Sequence, residues 1–161
     1  MPEIAKESVL ALHGGTAINL FLREMPRLSV DADLTYVPIE DREMSMQGIS
    51  VALKNIAANI KRVLPSAQID FKTKEQKLLI SDNGTIVKIE VSVINRGTLG
   101  SPRAKQLCTK AQTLFDAFSV IDVVPIGQLY GGKVCAAFDR QHPRDILISN
   151  ICLRQKDSMR I

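Results

Sequence analysis

Apolar and polar positions along this chain follow two distinct periods, and each period marks a different kind of element. Across residues 43–64, Met46, Ile49, Val51, Leu53, Ile56, Ala57, Ile60, Val63 and Leu64 recur with helical spacing. That is the stripe of a long amphipathic helix, closed by Pro65. Across residues 86–94 (IVKIEVSVI) the period is two. Ile86, Lys88, Glu90, Ser92 and Ile94 point one way and Val87, Ile89, Val91 and Val93 the other, as in a strand. Gln68–Lys72 and residues 77–81 read as two further strands, and Asp82-Asn83-Gly84 is a strong hairpin turn between the second and third.

The rest of the chain is shorter in period. Residues 3–8 read as the end of a short helix, and 9–13 (VLALH) as an apolar run leading into Gly14-Gly15. Thr16 suits the N-cap of a helix over AINLFLRE, with Ala17, Leu20 and Phe21 at helical spacing and Pro26 as its stop. Residues 31–37 (DADLTYV) read as a strand ended by Pro38. Residues 95–102 (NRGTLGSP) read as a loop. From Ala104 onward, Leu107, Cys108, Ala111, Leu114, Phe115 and Phe118 predict a helix. A short extended segment is expected over 120–125 and another helix over 131–140. This order predicts an α+β fold with a mixed sheet, since it lacks the regular strand–helix alternation of a doubly wound fold.

Length and composition narrow the function classes. The 161 residues suffice for one domain with a sizeable core. The net charge of +4 is compatible with a nucleotide or nucleic-acid partner without demanding one. Aromatics make up only 4% and tryptophan is absent, which argues against a base-stacking platform for single strands. Cys108, Cys135 and Cys152 are odd in number and form no CxxC pair, so neither a disulfide framework nor a zinc site is expected. They read as reduced, mostly buried residues of a cytoplasmic protein. The charged start MPEIAKES lacks the apolar core of a signal peptide, and no apolar run reaches membrane-spanning length.

Several constellations carry chemistry. A strand's period of two puts Asp31 and Asp33 on one face, where two carboxylates suit a hard cation such as Mg²⁺. The plainer account is a pair of solvated acids at a strand start. Glu90 sits in an otherwise apolar strand; it is either part of a polar outer face or, if that strand pairs beside residues 31–37, a third carboxylate for a two-metal phosphoryl-transfer site. Gly14-Gly15-Thr16, between an apolar run and a helix, suits a phosphate seat or a plain tight turn. GQLYGGKV, residues 127–134, nearly matches G-x-x-x-x-G-K-[ST], but Val134 replaces the required hydroxyl and no long strand precedes it. Lys133 is then a phosphate-binding cation in the first turn of a helix, or an ordinary surface lysine. DRQHPRD, residues 139–145, is dense in charge, and nothing in the spacing of His13 or His142 supports a Cys–His nucleophile pair.

LHGGTAINLFLREMPRLSVDADLTYV, the isolated acid of IVKIEVS and LYGGKVCAAFDRQHPRDI together resemble the AbiEii/AbiGii-type nucleotidyltransferases, of the DNA polymerase β-like superfamily. Members include toxins of bacterial toxin–antitoxin and phage abortive-infection systems. The resemblance implies the nucleotidyltransferase fold, a mixed central sheet flanked by helices. It implies that Asp31, Asp33 and Glu90 bind Mg²⁺ (or Mn²⁺), and that Gly14, Gly15 and Thr16 form the nucleotide-phosphate turn. It implies that Lys133 meets the triphosphate, that Arg27 and Ser29 support the phosphates or the acids, and that Arg144 and Asp145 match a downstream "RD". The implied reaction moves a nucleoside monophosphate from an NTP to an acceptor hydroxyl on RNA, tRNA or protein, with an antitoxin as a partner.

The chain departs from the family after that "RD". Where the family continues with a helix of the type DIFDIKYML and a helical C-terminal domain, this chain reads DILISNICLRQKDSMRI. A one-base deletion in a gene encoding DIFDIKYML yields DILISNIC in the new frame. The expectation is therefore a catalytic domain over residues 1–145, a frameshifted tail over 146–161, and no helical C-terminal domain. A truncated, inactive nucleotide-binding remnant is the alternative reading.

Overall fold

The computed structural model describes residues 1–140. A one-turn helix α1 (Pro2–Ala5) leads to strand β1 (Leu10–His13), which runs directly into the helical turn α2 (Gly14–Thr16) and a π-helical stretch (Ala17–Leu22). Strand β2 (Ala32–Tyr36) and the long helix α3 (Arg42–Val63) follow. Strands β3 (Gln68–Lys72), β4 (Lys77–Asp82) and β5 (Thr85–Arg96) come next, then β6 (Arg103–Gln106), α4 (Thr109–Phe115), β7 (Val120–Val123) and α5 (Ile126–Arg140). The seven strands form one mixed sheet in the order β3-β4-β5-β2-β1-β7-β6, so the expected α+β class holds. The chain divides into two units, Met1–Val124 and Pro125–Ile161. The first contains the whole sheet and the second contains α5.

The long-period and short-period patterns both become elements. Asp41 caps α3, its side chain accepting from the Met44 N–H at 2.9 Å. Ile49, Ala52, Leu53 and Ile56 on that helix are buried, and the helix packs on β4 and β5. By register, Ala32, Leu34, Leu78, Ile80, Ile89 and Val91 fall on one sheet face, and all are buried. Burying each large aliphatic side chain of this set contributes about 1.5–3 kcal/mol. Asn83 and Gly84 both take positive φ (47° and 77°), as the hairpin between β4 and β5 requires.

Several local expectations are corrected. Arg103–Gln106 is an edge strand paired antiparallel to β7, not the start of a helix. Its sequence RAKQ has no strand signature; the pairing with β7 makes it a strand, and its charges suit an exposed edge. The helix of that region is confined to α4, so Leu107, Cys108 and Ala111 are buried while Leu114, Phe115 and Phe118 remain exposed. Thr16 is not an N-cap: it is helical itself (φ −66°, ψ −41°), and the helical stretch ends at Leu22, well before Pro26. In addition, α5 begins at Ile126 rather than at residue 131, so GQLYGGKV lies inside a helix, in keeping with its missing hydroxyl at Val134. Residues 95–96 belong to β5 rather than to a loop. Of the cysteines, Cys108 is buried and Cys135 exposed. Cys152, Arg144, Asp145 and the expected tail over 146–161 lie outside the described residues.

Candidate active site

The candidate site is built where β1, β2 and β5 lie side by side. β2 pairs antiparallel with β1 and parallel with β5. The registers set His13 opposite Asp33 on one side and Glu90 opposite Asp33 on the other. Directly paired residues present their side chains to the same sheet face, so Asp33 and Glu90 share the face opposite the one that carries Leu34 and Ile89. Asp31 stands one residue before β2 rather than inside it. Its Oδ1 accepts from the backbone N–H of Lys88 at 3.3 Å, so the Asp31 carboxylate lies against β5 beside Lys88. The sheet thus brings all three predicted acids to neighbouring positions.

The glycine turn comes to the same place because β1 ends there. Gly14 has φ +75°, a left-handed conformation that glycine adopts without penalty. A Cβ on Gly14 would overlap Asp33 Oδ2 and lie 3.0 Å from Asp33 Cβ. The backbone at Gly14 is therefore packed against a carboxylate, and only glycine leaves that space. At Gly15 an added Cβ would lie 3.2 Å from Arg27 Nη2, 3.7 Å from Ser29 Oγ and 3.9 Å from Asn19 Nδ2. Arg27 and Ser29 thus lie beside the second glycine.

Thr16 explains how the segment before β2 is held. Its side chain is 1% exposed. The hydroxyl lies 2.7 Å from Ser29 Oγ and also donates to the carbonyl of Asp31. Instead of capping a helix, Thr16 ties the helical turn to the chain that delivers Asp31. Thr16→Val removes both hydrogen bonds, to a half-buried Ser29 and to the carbonyl of an exposed Asp31, and is expected to cost about 1 kcal/mol of stability. A denaturant midpoint measures it, with Thr16→Ser expected to recover most of the loss and an unchanged midpoint ruling the tie out.

A family model described as nucleotidyl transferase AbiEii toxin, type IV TA system, matches residues 1–147. The chain belongs to this family. No curated protein and no solved structure matches it. The mixed α+β sheet agrees with a nucleotidyltransferase domain of the AbiEii type, and the family brings with it the context of a type IV toxin–antitoxin system and hence a cognate antitoxin. Among the described residues, no helix is long and apolar enough to cross a membrane.

Two polar residues of this AbiEii domain escaped the sequence reading. Lys88 Nζ lies 2.8 Å from Glu90 Oε2, with the two side chains 34% and 44% exposed. The hydrogen bond to Glu90 raises the Lys88 pKa most, burial works against it, and the charges of Glu90, Asp31 and Asp33 raise it further. One ammonium is thus paired with Glu90 on the strand that lies beside Asp31 and Asp33. The strand period already put Lys88 on the face of Glu90, so the signal was present in the alternation. Asn19 is the second: it is 4% exposed, and its Nδ2 is buried without a hydrogen-bond partner beside Gly15. Its signal was a lone amide in the apolar run AINLFL.

Lys133 is half-buried on α5, in the second unit, and far enough past Ile126 to be outside the first turn where it was expected. The N-terminal field of that helix fades within its first turn, so any attraction for phosphate belongs to the ammonium alone. The acid cluster itself is not closed: among the described residues, no three His, Cys, Asp or Glu side chains converge tightly enough to hold a metal ion.

Proposed function

We propose that this chain is a divalent-metal-dependent nucleotidyltransferase that moves a nucleoside monophosphate from an NTP to an acceptor hydroxyl. A bond forms between the acceptor oxygen and the α-phosphorus, and the bond to the β-phosphate oxygen breaks, releasing pyrophosphate. The observation that carries the reading is the pairing of Asp33 with Glu90 across parallel strands, with the Asp31 carboxylate on the Lys88 N–H of β5 and Gly14 against Asp33.

The donors of this set are all carboxylate oxygens, the kind that Mg²⁺ or Mn²⁺ prefers; Asp31, Asp33 and Glu90, which do not converge on one point, would close on the ion together with the phosphates. When bound, such an ion neutralises phosphate charge and stabilises the attacking and leaving oxygens. The chain's own residues do the positioning. Gly14 and Gly15 let backbone N–H groups approach phosphate, Arg27 supplies a guanidinium above Gly15, and Ser29 and Thr16 hold the segment that carries Asp31. On the family pattern, Lys133 and Asp145 of the downstream "RD" are also assigned to nucleotide binding. RNA, including tRNA 3′ ends, is the acceptor that the toxin context favours, and the cytoplasm is the compartment where it would be met.

The test is direct. The full chain is incubated with Mg²⁺, each labelled NTP in turn, and a total RNA or tRNA pool. Label transferred to RNA in a Mg²⁺-dependent manner supports the enzyme. NTP binding without transfer to any acceptor would instead establish the inactive, nucleotide-binding remnant.

A further inference from the structure

The alternation of β5 puts Lys88 and Glu90 on one face, two positions apart. A hydrogen bond puts the Asp31 carboxylate against the Lys88 backbone N–H, and the register of β2 with β5 puts Asp33 against Glu90. Lys88 therefore pairs with one of the three acids that the proposed metal site uses and stands beside the other two. Its ammonium sits 2.8 Å from Glu90 Oε2, a distance at which that oxygen is committed to a charge-assisted hydrogen bond. A cation ligated by Glu90 needs the same carboxylate.

We propose that Lys88 is a resident counter-cation of the carboxylate site, which competes with the divalent ion for Glu90 and must release it before Glu90 can join Asp31 and Asp33 as a ligand. The inference rests on the metal-dependent reading of this site. It makes Lys88 a positioning residue: the ammonium sets how Glu90 is presented and so sets the metal concentration at which the site assembles. With no ion bound, it also offsets repulsion among three carboxylates gathered on one sheet face.

A built-in control lies on the neighbouring strand. Lys77 of β4 is the register partner of Glu90 on its other side, but the Lys77 ammonium pairs with Glu75. Lys77→Met removes a charge equally near in register while leaving the Lys88–Glu90 pair in place. A general charge effect would make the two substitutions equivalent, whereas direct competition separates them.

The experiment measures Mn²⁺ affinity of the full chain by electron paramagnetic resonance, without turnover. Lys88→Met and Lys88→Gln are expected to bind Mn²⁺ about five-fold more tightly than the wild type, the equivalent of a partly exposed ion pair of about 1 kcal/mol. Lys77→Met should change affinity by less than about two-fold. In chelator, Lys88→Met should melt lower than the wild type, and added Mn²⁺ should raise its melting temperature by more. Equal gains in the Lys77 and Lys88 variants, or wild-type affinity in the Lys88 variants, would overturn the competition while leaving the metal site standing. No Mn²⁺ binding by any of the proteins would overturn the metal-dependent reading, and this inference with it.

Discussion

Asp33→Asn is expected to reduce nucleotidyl transfer by about 10³-fold or more while leaving the melting temperature within a few degrees of the wild type. The substitution keeps the shape of the side chain and removes the charge at the centre of the site, between Glu90 and His13 in register. Lewis-acid stabilisation by a held ion is worth several kcal/mol, and each 1.4 kcal/mol is about a factor of ten in rate. Asp33 is half-buried on an open face rather than in the core, so the fold does not depend on its charge. Initial rates of label transfer at saturating Mg²⁺ and NTP measure the effect. A rate within ten-fold of the wild type would remove Asp33 from the chemistry.

The second large effect is expected from a single added methyl group. Gly14→Ala combines a positive φ with a Cβ that overlaps Asp33 Oδ2. The left-handed backbone costs an alanine about 1–2 kcal/mol, which a thermal melt detects. The larger consequence is positional: Asp33 must rotate away from the turn, and displacements near 1 Å at a reacting centre cost on the order of 10²-fold. Transfer is therefore expected to fall about 100-fold, far beyond what the lost stability explains at assay temperature. Gly15→Ala supplies the contrast, because its Cβ would meet the mobile end of Arg27 rather than an acid. Equal losses at Gly14 and Gly15 would show that the turn, and not its fit to Asp33, sets the rate.

Much of the candidate site could be read along the chain because its signals are local. The hairpin at Asn83-Gly84 follows from the need for positive φ at both central residues, and α3 follows from an apolar stripe with an aspartate at its start. The phase of Asp31 with Asp33, and of Lys88 with Glu90, is a property of extended backbone and needs no partner strand. Where the reading failed, a distant partner or a competing bond had overridden the local preference. RAKQ became a strand because β7 offered it a ladder, and Thr16 gave up a cap for Ser29 and the Asp31 carbonyl. The glycines of GQLYGGKV were absorbed into α5, which started earlier than the loop-like sequence suggested.

The sequence by itself determined the α+β class and the family resemblance and singled out Asp31, Asp33 and Glu90 as candidates, since periodicity, turn chemistry and motif order are written in neighbouring residues. Only the tertiary structure decided that β5 lies parallel to β2, that Asp33 meets Glu90 in register, and that Gly14 closes against Asp33. Only it showed the ammonium of Lys88 on Glu90 among those acids. Pairing between segments more than fifty residues apart depends on the packing of α3 on one sheet face and on the order of all seven strands, which no short window of the chain contains.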